Sequence, residues 1–278
     1  MTGRIVWLAS YPKSGNTWLR AVYTSLRGKV EPDINSLACA GPAVRPLFEA
    51  ALGVRSSDLT QDEIVQLRPR ADEAMTLGLS EDLWCKTHDA LFVGPSGTPT
   101  VSAQATRCAL YMVRDPRDVA VSLAHHAEMT LTEAVDLLCS STAALAKSTT
   151  CLQPQLPQHL GTWSAHVRSW TESPPFPVHT LRYEDCLASP VATFMAAFAW
   201  TGWEATEAEV AEAVARSSFE RLQTQEATAG FRERQRGSSV FFRRGSAGGW
   251  RDELPTRLAR LIEDEHHAVM LSFGYRAV

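Results

Sequence analysis

The loop Tyr11-Pro12-Lys13-Ser14-Gly15-Asn16-Thr17-Trp18 restricts this chain more than any other segment. It follows a short apolar run, residues 5–9, that reads as a buried strand. It opens a helix predicted over 16–26 and stopped by Gly28. Strand, tight loop and helix begin an α/β unit. Such a loop aims several backbone N–H groups at one spot, and the helix macrodipole adds partial positive charge there. Gly15 lets the backbone approach a ligand, Lys13 adds a full charge, and Ser14 and Thr17 add hydroxyl donors. This chemistry suits a phosphate or sulfate, although an ordinary turn with a surface lysine carries the same residues. It is not a Walker A loop: the lysine precedes the glycine and no G-K-[ST] is present.

Residues 83–87, 108–113 and 178–182 also read as strands. Helices are predicted over 116–126, 131–147, 158–172, from Tyr183-Glu184-Asp185 to near Gly202, and over 255–272. Thr60 with Glu63 and Thr206 with Glu209 form capping boxes, and Pro69 must start, kink or break the helix after Thr60. Residues 30–58 read as irregular. The alternation predicts an α/β fold, a single domain over 1–278 with a central parallel sheet flanked by helices. Residues 226–249 are polar, rich in Gly and Ser, and long for a connection, so they are expected to form a mobile lid.

Three further segments carry chemistry. Arg114-Asp115-Pro116-Arg117-Asp118 follows a strand and opens a helix with Ser122 two turns on. Arg114 thus sits at a strand end, where ligands bind in open α/β sheets and where an arginine fork suits a second phosphate. A capped helix with surface arginines reads equally well. Arg243-Arg244-Gly245 and the glycines up to Trp250 could wrap an anion or form a basic loop. Lys86-Thr87-His88 ends a strand, and His88 there suits either a general base or a structural role.

The net charge of -4 over 278 residues, with 21% charged, excludes a polyanion binder by bulk charge and argues against nucleic acid as a partner. Any basic site is therefore local. Six scattered cysteines without a C-x-x-C pair argue against a disulfide framework or a zinc site and fit a reducing compartment. No signal peptide and no membrane-length apolar run is seen, so a soluble cytoplasmic protein without a membrane partner is expected. Abundant arginine and alanine point to a GC-rich coding genome.

Together these segments resemble the sulfotransferases that use 3'-phosphoadenosine 5'-phosphosulfate (PAPS). The first loop resembles their Y-P-K-S-G-x-T-W loop, and Arg114 with Ser122 resembles their 3'-phosphate element. Arg243-Arg244-Gly245, Gly248 and Trp250 resemble their R-K-G-x-x-G-x-W run, with Arg244 in place of lysine. Tyr183-Glu184-Asp185 and Ser217-Ser218-Phe219 are similar to adenine-side elements. Ser169-Trp170-Thr171-Glu172-Ser173 is similar to bacterial sulfotransferases that modify glycopeptide antibiotics. The likeness spans residues 5 to 251 in the family's order and implies a P-loop-like nucleotide-binding architecture.

The resemblance implies that Lys13, Ser14, Gly15, Asn16 and Thr17 hold the 5'-phosphosulfate and that Trp18 and Phe219 flank the adenine. It implies that Arg114, Ser122, Arg243, Arg244 and Gly245 hold the 3'-phosphate, with Tyr183 and Ser217 on the nucleotide side. His88 would be the general base and Lys86 a second stabiliser of the sulfuryl group; no metal is required. The expected acceptor is a small-molecule hydroxyl, phenolic or on a natural-product scaffold. Asp89 after His88 departs from the usual apolar residue and leaves two readings, tuning the imidazole or pointing away. A nucleotide-dependent kinase and an inactive nucleotide-binding module are the rival readings.

Overall fold

The strands are β1 (Ile5–Ser10), β2 (Leu83–Thr87), β3 (Thr106–Val113), β4 (Ala144–Leu145), β5 (Gln158–His159) and β6 (Val178–Arg182). The computed structural model describes residues 3–94, 97–147, 151–235, 237 and 240–277. β1 is buried at every position, which an unbroken apolar run permits only in a strand covered on both faces. It pairs in parallel with β2, Ile5 opposite Leu83 and Ala9 opposite Thr87. The four-stranded sheet has the order β2-β1-β3-β6. The fold is the expected α/β class, a central parallel sheet with flanking helices.

The helices are α1 (Asn16–Gly28), α2 (Arg45–Leu52), α3 (Gln61–Thr76), α4 (Pro116–Ala127), α5 (Leu131–Cys139) and α6 (Trp163–Thr171), then α7 (Tyr183–Ala188), α8 (Pro190–Trp200), α9 (Glu207–Arg216), α10 (Phe219–Ala229), α11 (Trp250–Glu253) and α12 (Thr256–Ser272). The chain divides into two compact units: Met1–Tyr11, Cys39–Tyr111 and Ser140–Thr180; and Pro12–Ala38, Met112–Cys139 and Leu181–Val278. In the first, Tyr111 of β3 stacks on Trp170 of α6 at 5.8 Å. Phe48, Ile64, Ala71 and Leu156 tie α2 and α3 into a cluster. In the second, α1 packs on α9, α9 on α8, and α4 on α5 and α12.

Several boundaries differ from those expected, each for a local reason. Residues 30–58 contain α2, because Pro46 falls in the first helical turn, where a missing N–H costs nothing. α3 runs through Pro69, its buried face held by Ile64, Ala71 and the Arg68–Asp89 ion pair at 2.7 Å. The helix predicted over 131–147 ends at Cys139, and residues 144–145 pair instead with 158–159, so α6 starts only after the Thr162 cap. The segment leading to Gly202 is two helices, α7 and α8, because Ser189 before Pro190 leaves the helical region, with φ -145° and ψ 65°. α1 includes Gly28, and Lys29 makes the left-handed turn with φ 53°. The Thr60 and Thr206 capping boxes form as expected. α10 runs to Ala229, so the segment 226–249 begins as helix; Arg236, Ser238 and Ser239 within it lie outside the described residues.

Asp72 of α3 is buried, with one oxygen accepting from the Ser102 N–H at 2.9 Å. Burial pushes its carboxyl up from 3.8 to about 7. A raised acid favours the folded state when protonated, so this contribution is full below about pH 4 and lost as pH rises to 7. Asp72→Asn cannot ionise. Thermal unfolding from pH 4 to 8 should therefore decline less steeply in the variant than in the parent, and parallel declines would refute the assignment.

Candidate active site

The chain leaves β1 and turns sharply into α1. Lys13 has φ 66°, and Gly15, the N-cap, has φ 105°. A Cβ at Gly15 would lie 2.7 Å from Met112 Sδ and 2.7 Å from Tyr183 Cδ2, so only glycine fits. No side chain caps α1, and its first turn holds no acidic residue. The helix dipole is thus left uncompensated where an anion would bind. Asn16 and Thr17 are buried in this turn.

Ser14 Oγ, Trp18 Nε1 and Arg114 Nε at this terminus, and Ser217 Oγ at the end of α9, are buried donors without a protein partner among the described residues. A buried polar atom left unmatched costs stability unless something satisfies it, so the set is one that an oxygen-rich ligand would complete. That is the fit expected for a phosphate-bearing nucleotide.

Arg114 ties the segments of this unit together. Its Nη1 donates to the Lys13 carbonyl at 3.1 Å and its Nη2 to the Ser246 carbonyl at 3.0 Å. Its guanidinium lies 4.4 Å from the Tyr183 ring centre. Trp18 meets Tyr183 edge-on at 6.0 Å. Trp18 and Phe219 pack against one cluster of Ala21, Ile34, Leu222, Phe231 and Phe242. Gly245, with φ 61°, comes so near Phe219 that a Cβ there would lie 2.3 Å from the ring. Lys13 Nζ sits 3.6 Å from the Phe241 ring centre. Ser122 is half-buried one turn beyond Asp118 on α4.

Arg243 and Arg244 have anionic partners of their own. Arg243 donates to Glu253 at 2.7 Å, and Arg244 lies 3.3 Å from both Asp252 and Glu253. Burial works against the Glu253 charge, yet hydrogen bonds from His125 and Arg243 hold its carboxyl below the ordinary range. Arg117 is buried between Asp115, at 2.7 Å, and Glu263, so its charge serves the interior.

His88 belongs to the other unit and follows β2. Its Nδ1 lies 2.8 Å from the Ser10 carbonyl oxygen. A carbonyl only accepts, so Nδ1 carries the hydrogen and Nε2 is the basic nitrogen. The His88 N–H donates to Gln158 Oε1 at 3.0 Å. Its carbonyl accepts from His166 Nε2, and Tyr111 O–H binds His166 Nδ1. Burial lowers His166 to about 4, which keeps it neutral. The Asp89 carboxylate takes hydrogen bonds from Arg68, Thr87 and the His159 N–H. Lys86, half-buried in β2, is held through its N–H by the Cys39 carbonyl.

Two carboxylates escaped the sequence reading. Asp118 accepts from the Gly248 and Trp250 N–H groups. Glu226, 4% exposed, accepts from the Phe241 and Phe242 N–H groups. Asp118 carried a readable signal, since it lies one helical turn before Ser122. Glu226 carried none, because its partners are loop amides.

The model of the sulfotransferase domain family matches residues 4–274. The chain belongs to the sulfotransferase family. It is similar to cytosolic sulfotransferase 16 of Arabidopsis thaliana, 27% identical over 272 residues, covering 92% of this chain and 73% of that protein. It is also similar to flavonol 3-sulfotransferase of Flaveria bidentis, 26% identical over 94% of this chain and 81% of the relative. Among solved structures, mouse sulfotransferase SULT7A1 complexed with PAP superposes with a TM-score of 0.62 at 19% identity, covering 96% of this chain and 85% of that one. Retinol dehydratase in a complex with retinol and PAP also gives 0.62 at 19% identity, covering 100% and 84%. This sulfotransferase is accordingly an enzyme of the PAPS-dependent class. Among its described residues, no helix is long and apolar enough to cross a membrane, and no group of three His, Cys, Asp or Glu could hold a metal ion.

Gly15→Ala should weaken PAP binding about ten-fold or more, the scale of one strained backbone position. Isothermal titration measures it. Parental affinity in the variant would mean that this backbone does not approach the nucleotide.

Proposed function

We propose that the sulfotransferase moves the sulfuryl group of PAPS to the hydroxyl of a small-molecule acceptor, phenolic or carried on a natural-product scaffold. The observation that supports this most is the pair of unmatched buried donors, Ser14 Oγ and Arg114 Nε, at an α1 terminus whose first turn has no acidic residue. Ser14, Gly15, Asn16 and Thr17 would hold the 5'-phosphate end, and Arg114, Ser122, Arg243, Arg244 and Gly245 the 3'-phosphate. Trp18 and Phe219, sharing one cluster, would take the adenine between them.

The reaction forms a bond from sulfur to the acceptor oxygen and breaks the bond from sulfur to the 5'-phosphate oxygen. Through a loose transition state, the protein's work is positioning and charge stabilisation. Lys13 would meet the charge growing on the leaving oxygen, and Lys86 the sulfuryl oxygens. His88 would remove the acceptor proton at Nε2. The Ser10 carbonyl on Nδ1 supports that role, because it selects the tautomer with a basic Nε2. The relatives named for cytosolic sulfotransferases support a cytoplasmic location.

His88→Ala should lower turnover by ~10²–10⁴ while PAP binding is kept, checked by steady-state kinetics and titration. Turnover near the parental value would remove His88 from catalysis. In thermal shift, PAP should stabilise the protein and Mg-ATP should not; the reverse would favour a kinase. Stabilisation by PAP without transfer to any acceptor, in a screen of phenols with radiolabelled PAPS, would favour a nucleotide-binding module.

A further inference from the structure

Asp118 stands in the first turn of α4, 4% exposed. A carboxylate at this helical position ordinarily serves its own helix terminus. Here Asp115 does that, accepting from the Arg117 N–H at 2.9 Å. Asp118 instead spends both oxygens on a segment 130 residues away: one accepts from the Gly248 N–H at 2.6 Å, the other from the Trp250 N–H at 2.9 Å. Arg114, four residues before it, holds the Ser246 carbonyl of the same segment. The stretch from Ser246 to Trp250 is therefore pinned by both its carbonyl and its N–H groups to the connection that follows β3. Arg243, Arg244 and Gly245 lie immediately before the pinned stretch.

We propose that Asp118 is the positioning residue for the 243–250 loop and thereby sets the enzyme's preference for a nucleotide that carries a 3'-phosphate. The inference rests on the reading of Arg114, Arg243, Arg244 and Gly245 as the 3'-phosphate site. A bare carboxylate near that site would repel the phosphate. Asp118 does not act as a bare charge, because two backbone N–H groups and the α4 terminus neutralise it. Its effect on the ligand is carried by the loop it holds.

Asp118→Asn keeps one acceptor oxygen and turns an NH2 group toward an N–H donor, so the loop must shift. The probes are PAP and adenosine 5'-monophosphate, which differ only by the 3'-phosphate. In titration calorimetry, the variant should lose about ten-fold in affinity for PAP, the scale of one hydrogen bond to a charged group, and less than about two-fold for the monophosphate. Equal losses for both ligands, or no loss for PAP, would overturn the inference, because a purely structural role moves both alike. Independently of any variant, hydrogen exchange across 243–251 of the parent protein should slow with PAP and not with the monophosphate; unchanged exchange with PAP overturns it too. A parent protein that does not prefer PAP over the monophosphate defeats the reading of the 3'-phosphate site itself, and the inference with it.

Discussion

The bare backbone at Gly15 is the point on which the turn from β1 into α1, and with it the proposed donor site, depends. Its left-handed φ brings the chain out of β1 and into α1 without a capping side chain. Met112 and Tyr183 close over it at distances a Cβ could not tolerate. The Trp18 N–H turns back on the Gly15 carbonyl at 3.0 Å, no side chain caps the helix, and no acidic residue in its first turn offsets the dipole. Ser14 and Arg114 present buried donors to the same region. Each feature is small, but they share one direction, and a doubly charged ligand gains from all of them at once.

Around the α1 terminus the protein pairs cations with its own carboxylates. Arg117 is enclosed by Asp115 and Glu263, while Arg243 and Arg244 meet Glu253. Asp118 and Glu226 spend their charge on loop amides. A chain of net charge -4 can thus carry local basic residues, because their nearby carboxylates are themselves engaged by cations and loop amides. Buried pairs of this kind specify geometry more than they add stability, since desolvation offsets most of their attraction.

The turn after β2 shows the same economy on the other unit. Asp89 binds Arg68, Thr87 and the His159 N–H, and its carbonyl holds Trp170 Nε1. His88 is gripped at its N–H, its carbonyl and its Nδ1. The imidazole is oriented by backbone partners, and a neutral His166 behind it adds no competing charge. The carboxylate next in sequence to the histidine binds Arg68, Thr87 and the His159 N–H.

The strand runs, the capping boxes, the loop before α1 and the order of the four motifs were all legible in the sequence, because each is a local pattern of apolar period, cap or glycine. Helix limits near Cys139 and Ser189 were not, since a short β4–β5 pairing and one non-helical residue decide them. Nor could sequence say that Arg117 is enclosed by a distant carboxylate, or which cation Asp89 meets: those depend on Glu263 and Arg68, far away along the chain. Local periodicity determined the elements and the chemistry available at their ends. Only tertiary packing decided how that chemistry is aimed, because a side chain's charge is given by its type while its direction is given by what surrounds it.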